Sequence, residues 1–169
     1  MKLNVINKKK YNPCIMTGYN CFGCCSVNLT NIKEVECGID KNTKEYSEFK
    51  NNNKGFRDRY GKDELDKSGI CLNLIRKNDI NENGVCAIYP KDNTDDLRFG
   101  YCSTTFECVT FIKIQNWNEK KVSLFNFFIK ELFEQNKLNK LSFSNEMYNN
   151  TIIDKFELWL KINNERDGI

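Results

Sequence analysis

The chain has 169 residues, 26 Lys and Arg against 23 Asp and Glu, nine Cys and no His. That length suits a single domain with a core of its own, and a net charge of +3 is too small to point to nucleic acid or another electrostatic partner. No run of about 20 apolar residues is present to span a membrane. Met1 to Lys10 carries charge but no signal-peptide core, so the expected compartment is the cytoplasm, where thiols stay reduced and a cysteine cluster serves metal binding or catalysis rather than disulfides.

In chain order, the first half holds turn formers (Pro13, Gly18, Gly23, Gly38) and short apolar runs, which predict ligand-bearing loops with sparse regular structure. Asparagine, the most frequent residue, reads as compositional bias, and the Asn51 to Lys54 run as solvated loop. Tyr46, Phe49, Phe56 and Tyr60 lie at three- and four-residue separations that place them along one helical face, interrupted by Gly55 and Gly61. Gly69 to Ile75 and Gly84 to Pro90, separated by a turn ending at Gly84, predict either a hairpin or two loop arms converging on one metal. Val109 to Ile114 fits a strand or a short helix capped by Thr105.

The last third is free of cysteine. Ser123 is the expected N-cap of a helix in which Leu124, Phe125, Phe128, Ile129, Leu132 and Phe133 share a face. Ile152, Ile153, Phe156, Trp159 and Leu160 predict a second amphipathic helix. These two helices are expected to cover the core, or else to offer a groove to a protein or peptide partner, to which Phe127 adds apolar surface. The predicted organisation is a cysteine-rich module over residues 1–115 and a two-helix part over 116–169. The expected fold class is mainly α with irregular cysteine-rich loops and little β, with α+β as the alternative.

The chemistry lies in the sulfurs. Without histidine, the commonest nitrogen ligand and the commonest general base are both missing. Cys14, Cys21, Cys24 and Cys25 form a tight group, followed by Cys37, Cys71, Cys86, Cys102 and Cys108. Leaving out Cys37, expected as a buried free thiol between Val35 and Ile39, eight thiols remain, enough for two four-thiolate sites or for one cluster with spare reactive thiols. Adjacent sulfurs cannot easily point at one metal, so Cys24 and Cys25 are expected to serve different ends: a ligand, a bridge or a redox step. Tyr19, Tyr89 and Tyr101 lie near cysteines, where they pack or donate hydrogen bonds to sulfur.

The sequence Cys14-x6-Cys21-x2-Cys24-Cys25, then Cys71-Leu72-Asn73-Leu74, then Gly84-Val85-Cys86-Ala87-Ile88-Tyr89, then Cys102, resembles the YkgJ-type cysteine-cluster family, a zinc- or iron-chelating domain. It is also similar to the cysteine-rich N-terminal part of the flagellin lysine methylase FliB. The likeness runs from Cys14 to Cys108. Members of the family carry Arg-Pro and then Cys-Arg after the Ile-Tyr segment, whereas this chain has Asp96-Leu97-Arg98-Phe99-Gly100-Tyr101-Cys102-Ser103. The arginine of that Cys-Arg pair is Ser103 here; if it contributes charge next to a metal site, redox or substrate chemistry differs in this chain while metal binding need not. The chain is also much shorter than a full flagellin methylase, and methyl transfer is not carried over.

Three readings follow. In the first, Cys14, Cys21, Cys24, Cys25, Cys71, Cys86, Cys102 and Cys108 hold an iron-sulfur cluster with a redox or peptide- or protein-modifying role. In the second, the same thiols hold structural zinc and the helices act through protein contacts. In the third, Cys24 and Cys25 act directly in thiol redox chemistry. No Gly-rich nucleotide motif is present, the acidic run from Asp92 to Asp96 fits no EF-hand spacing, and no basic and aromatic residues interleave as nucleic-acid binding would need.

Overall fold

The structure, a computed structural model, describes residues 21–25, 31–50, 52–63, 65–67, 69–76, 84–90, 96–102 and 107–167, with the side chains of 164–167 excepted. It is mainly helical with one two-stranded antiparallel sheet, the architecture expected. Helix α1 spans Ile32–Glu48 and α2 spans Asn53–Asp58; strand β1 is Leu74–Arg76 and β2 is Gly84–Cys86. Then come α3 (Val109–Gln115), α4 (Glu119–Glu134), α5 (Lys140–Tyr148) and α6 (Thr151–Asp167).

Asparagine does more here than reflect composition. The side chains of Asn31, Asn52, Asn118 and Asn139 cap the N-termini of α1, α2, α4 and α5, each accepting from a backbone N–H in the first turn. These are donors that a helix cannot satisfy within itself. At the other end, Asn136 (φ 54°) and Asn150 (φ 64°) take the left-handed conformation just beyond α4 and α5, which asparagine tolerates better than most residues. Helix α4 accordingly begins before Ser123, which lies exposed within it rather than capping it.

Two further elements, α1 and α5, differ from expectation. Helix α1 occupies a stretch expected to be irregular; Val35, Gly38, Ile39 and Asn42 form its buried face. The hairpin is present, though each strand is only three residues long, with Leu74 opposite Cys86 and Arg76 opposite Gly84. Residues 116–169 carry three helices rather than two, since α5 was not foreseen: Asn139 and Ser142 form a reciprocal capping box at its start, and Phe143, Ser144 and Met147 are buried.

The buried side chains form two clusters. The larger joins Ile114 of α3, Phe125 and Phe128 of α4, Phe143 of α5 and Phe156 of α6, and it includes Cys21. The rings of Phe125 and Phe156 meet edge to face at 5.2 Å between centroids. The smaller joins Phe22, Val35, Ile39, Ile70 and Leu74, with Cys25 and Cys71 packed against it. Gly84 lets the hairpin lie close to α1: a Cβ there would stand 2.8 Å from Cγ of Leu74 and 3.1 Å from Cδ1 of Ile39. Arg76 binds Glu36 and reaches Asp40 at 2.5 Å, tying the hairpin to α1 from outside.

The segment 21–25 joins the clusters. Phe22 N–H donates to Ser144 Oγ at 3.1 Å, and Gly23 lies so close to α5 that a Cβ would stand 2.3 Å from the Ser144 carbonyl oxygen. The Gly23→Ala variant should therefore lose about 1–3 kcal/mol of stability through displacement of this segment from α5. Urea unfolding checks this; an unchanged midpoint would contradict it.

Candidate metal centre

Of the nine cysteines, Cys14 lies outside the described residues, and the other eight form no disulfide. Cys37 stands exposed on α1, correcting the expectation of a buried thiol: it falls on the opposite side of the helix from Val35 and Ile39. The remaining seven occur in loop and element-end positions; Cys21 belongs to the larger cluster, and Cys25 and Cys71 pack against the smaller.

Backbone geometry aims N–H groups at several of these sulfurs. Gly23 N–H donates to Cys21 Sγ at 3.5 Å, Asn73 N–H to Cys71 Sγ at 3.4 Å and Phe111 N–H to Cys108 Sγ at 3.4 Å. The Ile88 N–H does the same for Cys86. In the case of Cys108 the sulfur is the N-cap of α3, the role that the sequence offered to Thr105, which lies outside the described residues. Such bonds favour the thiolate over the thiol.

Burial acts the other way and wins. It pushes the Cys21 thiol up to about 12, with Cys24 and Cys108 adding like-charge repulsion. Cys86 is likewise pushed up to about 12 by burial, then by Cys71 and Cys102, while Arg98 offsets part of the rise. Cys25 is raised well above the ordinary thiol range first by its hydrogen bond with Cys24, then by burial and by Cys71 and Cys86. Burial also raises Cys108, with Cys24 contributing. Burial and neighbouring cysteines thus favour the neutral form of these thiols.

The turn carrying Cys71 is held by polar groups that sequence inspection passed over. Asn42, buried on α1, donates from Nδ2 to the carbonyls of Cys71 and Leu74, each at 3.1 Å. Arg59 donates to the Leu72 carbonyl at 2.6 Å, to Asn42 Oδ1 at 3.0 Å and to Glu45 at 2.7 Å. The Cys71 N–H in turn donates to the Cys25 carbonyl at 2.9 Å. Asn42 could have been found as a polar residue at an apolar helical position; no local signal marks Arg59. Tyr101 donates its hydroxyl to Asp58 at 2.6 Å, and Tyr89 lies under the Arg98 guanidinium, 4.4 Å from its ring centre.

Thiols are the side chains a thiophilic metal takes, and four of them here receive backbone N–H groups; Asn73 Oδ1 is buried in the turn after Cys71 with no hydrogen-bond partner. Among the described residues no three Cys, Asp or Glu side chains are drawn together as they would be around an ion.

No family model, no curated protein and no solved structure matches the chain. Among the described residues no helix is long and apolar enough to cross a membrane.

The raised thiols carry a sign that can be checked. A folded pKa above the ordinary value of 9.0 means that burial favours the neutral form, so its contribution is complete below that pH and is lost as pH rises toward about 12. Metal-free protein should lose stability over that range in urea unfolding, and Cys86→Ala should flatten the loss. An identical pH slope in the two proteins would contradict the assignment.

Proposed function

We propose that the chain is a cysteine-ligated metal-binding protein that carries an iron-sulfur cluster in a redox or peptide- or protein-modifying role. The observation that carries this reading is the array of neighbouring sulfurs, four of which receive backbone N–H groups, in a fold that leaves them protonated when no cation is present. The resemblance of the cysteine spacing to the YkgJ-type family and to the cysteine-rich part of FliB supports the same reading. When bound, the cluster supplies one-electron transfer or substrate activation. The residues of the chain give up their thiol protons, surround the group with apolar side chains and place N–H donors at the ligand sulfurs, a means of tuning potential. A reducing compartment such as the cytoplasm suits this chemistry.

A structural zinc module is the second reading, favoured by apolar side chains left exposed on the helical part. Phe127 of α4 is 54% exposed, and Leu158 and Ile162 of α6 are 59% and 42% exposed, a surface suited to a protein partner. Direct thiol chemistry at Cys24 and Cys25 is less well supported, because the raised Cys25 thiol is a poor nucleophile.

Protein purified without oxygen should contain iron and matching acid-labile sulfide. Cys86→Ala should lose most of that metal while Cys37→Ala keeps it, as read by elemental analysis and visible absorption. Zinc in place of iron would favour the second reading, and full loading of Cys86→Ala would count against both.

A further inference from the structure

Phe22 to Cys25 form a tight turn in which the Cys25 N–H donates to the Phe22 carbonyl at 2.9 Å. Both ends of this turn are held. Gly23 is pressed against α5, where a Cβ would stand 2.3 Å from the Ser144 carbonyl oxygen, and the Cys25 carbonyl accepts from the Cys71 N–H at 2.9 Å. Cys24 and Cys25 follow one another on the turn, and their side chains are hydrogen-bonded to each other. Cys24 is exposed, and Cys25 is half-buried against the smaller cluster. The chain thus presents at its surface two sulfurs that face one another, on a backbone fixed from both sides.

We infer that Cys24 and Cys25 form a dithiol site for a trivalent organoarsenical of the type R–As=O. Arsenic in this class makes three single bonds in its thiol adduct and brings one of them, to carbon, with it. Two sulfurs therefore complete it, and no third side chain is required, which matches a structure in which no three Cys, Asp or Glu gather among the described residues. Capture is a condensation. Two As–S bonds form, the As=O bond breaks, the two thiol protons leave with the oxygen as water, and no oxidation state changes. The inference does not depend on the metal-binding reading, and a metal held by either sulfur would compete with it.

The environment of the pair favours this chemistry. A metal thiolate needs ionised sulfur, which at Cys25 is opposed by the hydrogen bond with Cys24 and then by burial. The arsenical adduct is neutral, as the two thiols are, and meets no such cost. A disulfide between the same residues would draw the sulfurs to about 2.05 Å and close a tight ring through a single peptide bond. Arsenic makes that ring one atom larger and leaves the sulfurs apart. Because the turn already sets the thiols face to face, little ordering remains to be done on binding.

The probe is phenylarsine oxide, added to the full chain after chelation of any metal and reduction with a phosphine, with intact-mass spectrometry as the readout. One phenylarsenic group per chain should be retained against excess mercaptoethanol and released by 2,3-dimercaptopropanol, because two linked thiols hold arsenic far better than two separate ones. Cys24→Ser and Cys24→Ala, at an exposed position, should lose that retained adduct; Cys37→Ala and Cys102→Ser, which remove other exposed thiols, should keep it. Thermal melts confirm that each variant is folded. Retention by the Cys24 variants, loss in Cys102→Ser, or no retained adduct on the unsubstituted chain would overturn the inference. Iron and zinc measured before chelation report on the metal-binding reading separately: metal without an arsenical adduct removes this inference alone, and an adduct on a chain purified without metal removes the metal-binding reading alone.

Discussion

A sulfur that is buried can lose its proton only at a cost that grows with each like neighbour, and this fold buries Cys21, Cys25 and Cys86 within electrostatic reach of other cysteines. Burial alone raises Cys21 and Cys86 far above the ordinary thiol range, and each is raised further by other cysteines. The backbone N–H groups aimed at Cys21, Cys71, Cys86 and Cys108 act in the opposite direction without overcoming that cost. The balance favours protonated thiols in the metal-free chain and thiolates once a cation offsets their repulsion.

The rest of the structure holds the seam between the two clusters in place. Segment 21–25 is fixed to α5 through Phe22, Ser144 and the close approach of Gly23, and to the hairpin through Cys25 and Cys71. From the far side, Asn42 and Arg59 bind the carbonyls of Cys71, Leu72 and Leu74. Leaving such buried carbonyls unpaired would cost about 1–3 kcal/mol each. Lys140 of α5 pairs with Glu36 of α1 at 3.4 Å, a further tie between the two sides. The aromatic helices give the seam a rigid wall: Phe125, Phe128 and Phe156 are buried together, and Trp159 donates to Glu131 at 3.1 Å.

Much of this was legible in the sequence, and the misses have physical causes. The spacing of apolar residues after Leu124 and after Ile152 announces α4 and α6 because long amphipathic stripes repeat often enough to be seen. The Asn-Glu-Asn-Gly sequence ending at Gly84 marks the hairpin. Helix α1 escaped notice because Ile32, Val35 and Ile39 are diluted by charged residues, and its stripe continues through a buried asparagine, Asn42, which reads as polar. Helix α5 escaped because it is short and its buried positions include Ser144. The asparagine caps were hidden in a composition rich in asparagine, and the cap of α3 is a sulfur, for which no capping rule would look. Cys37 illustrates the limit of neighbour arguments: Val35 and Ile39 are both buried, yet the residue between them faces out.

The central proposal is that the cysteines hold a metal, and a native mass spectrum of the full chain purified without oxygen tests it most directly. The account predicts a species heavier than the polypeptide by the mass of an iron-sulfur cluster, with the ligand thiol protons missing and those thiols protected from alkylation until the metal is removed. A spectrum showing only the bare polypeptide, with the exposed Cys24 and Cys102 open to alkylation under native conditions, would contradict it.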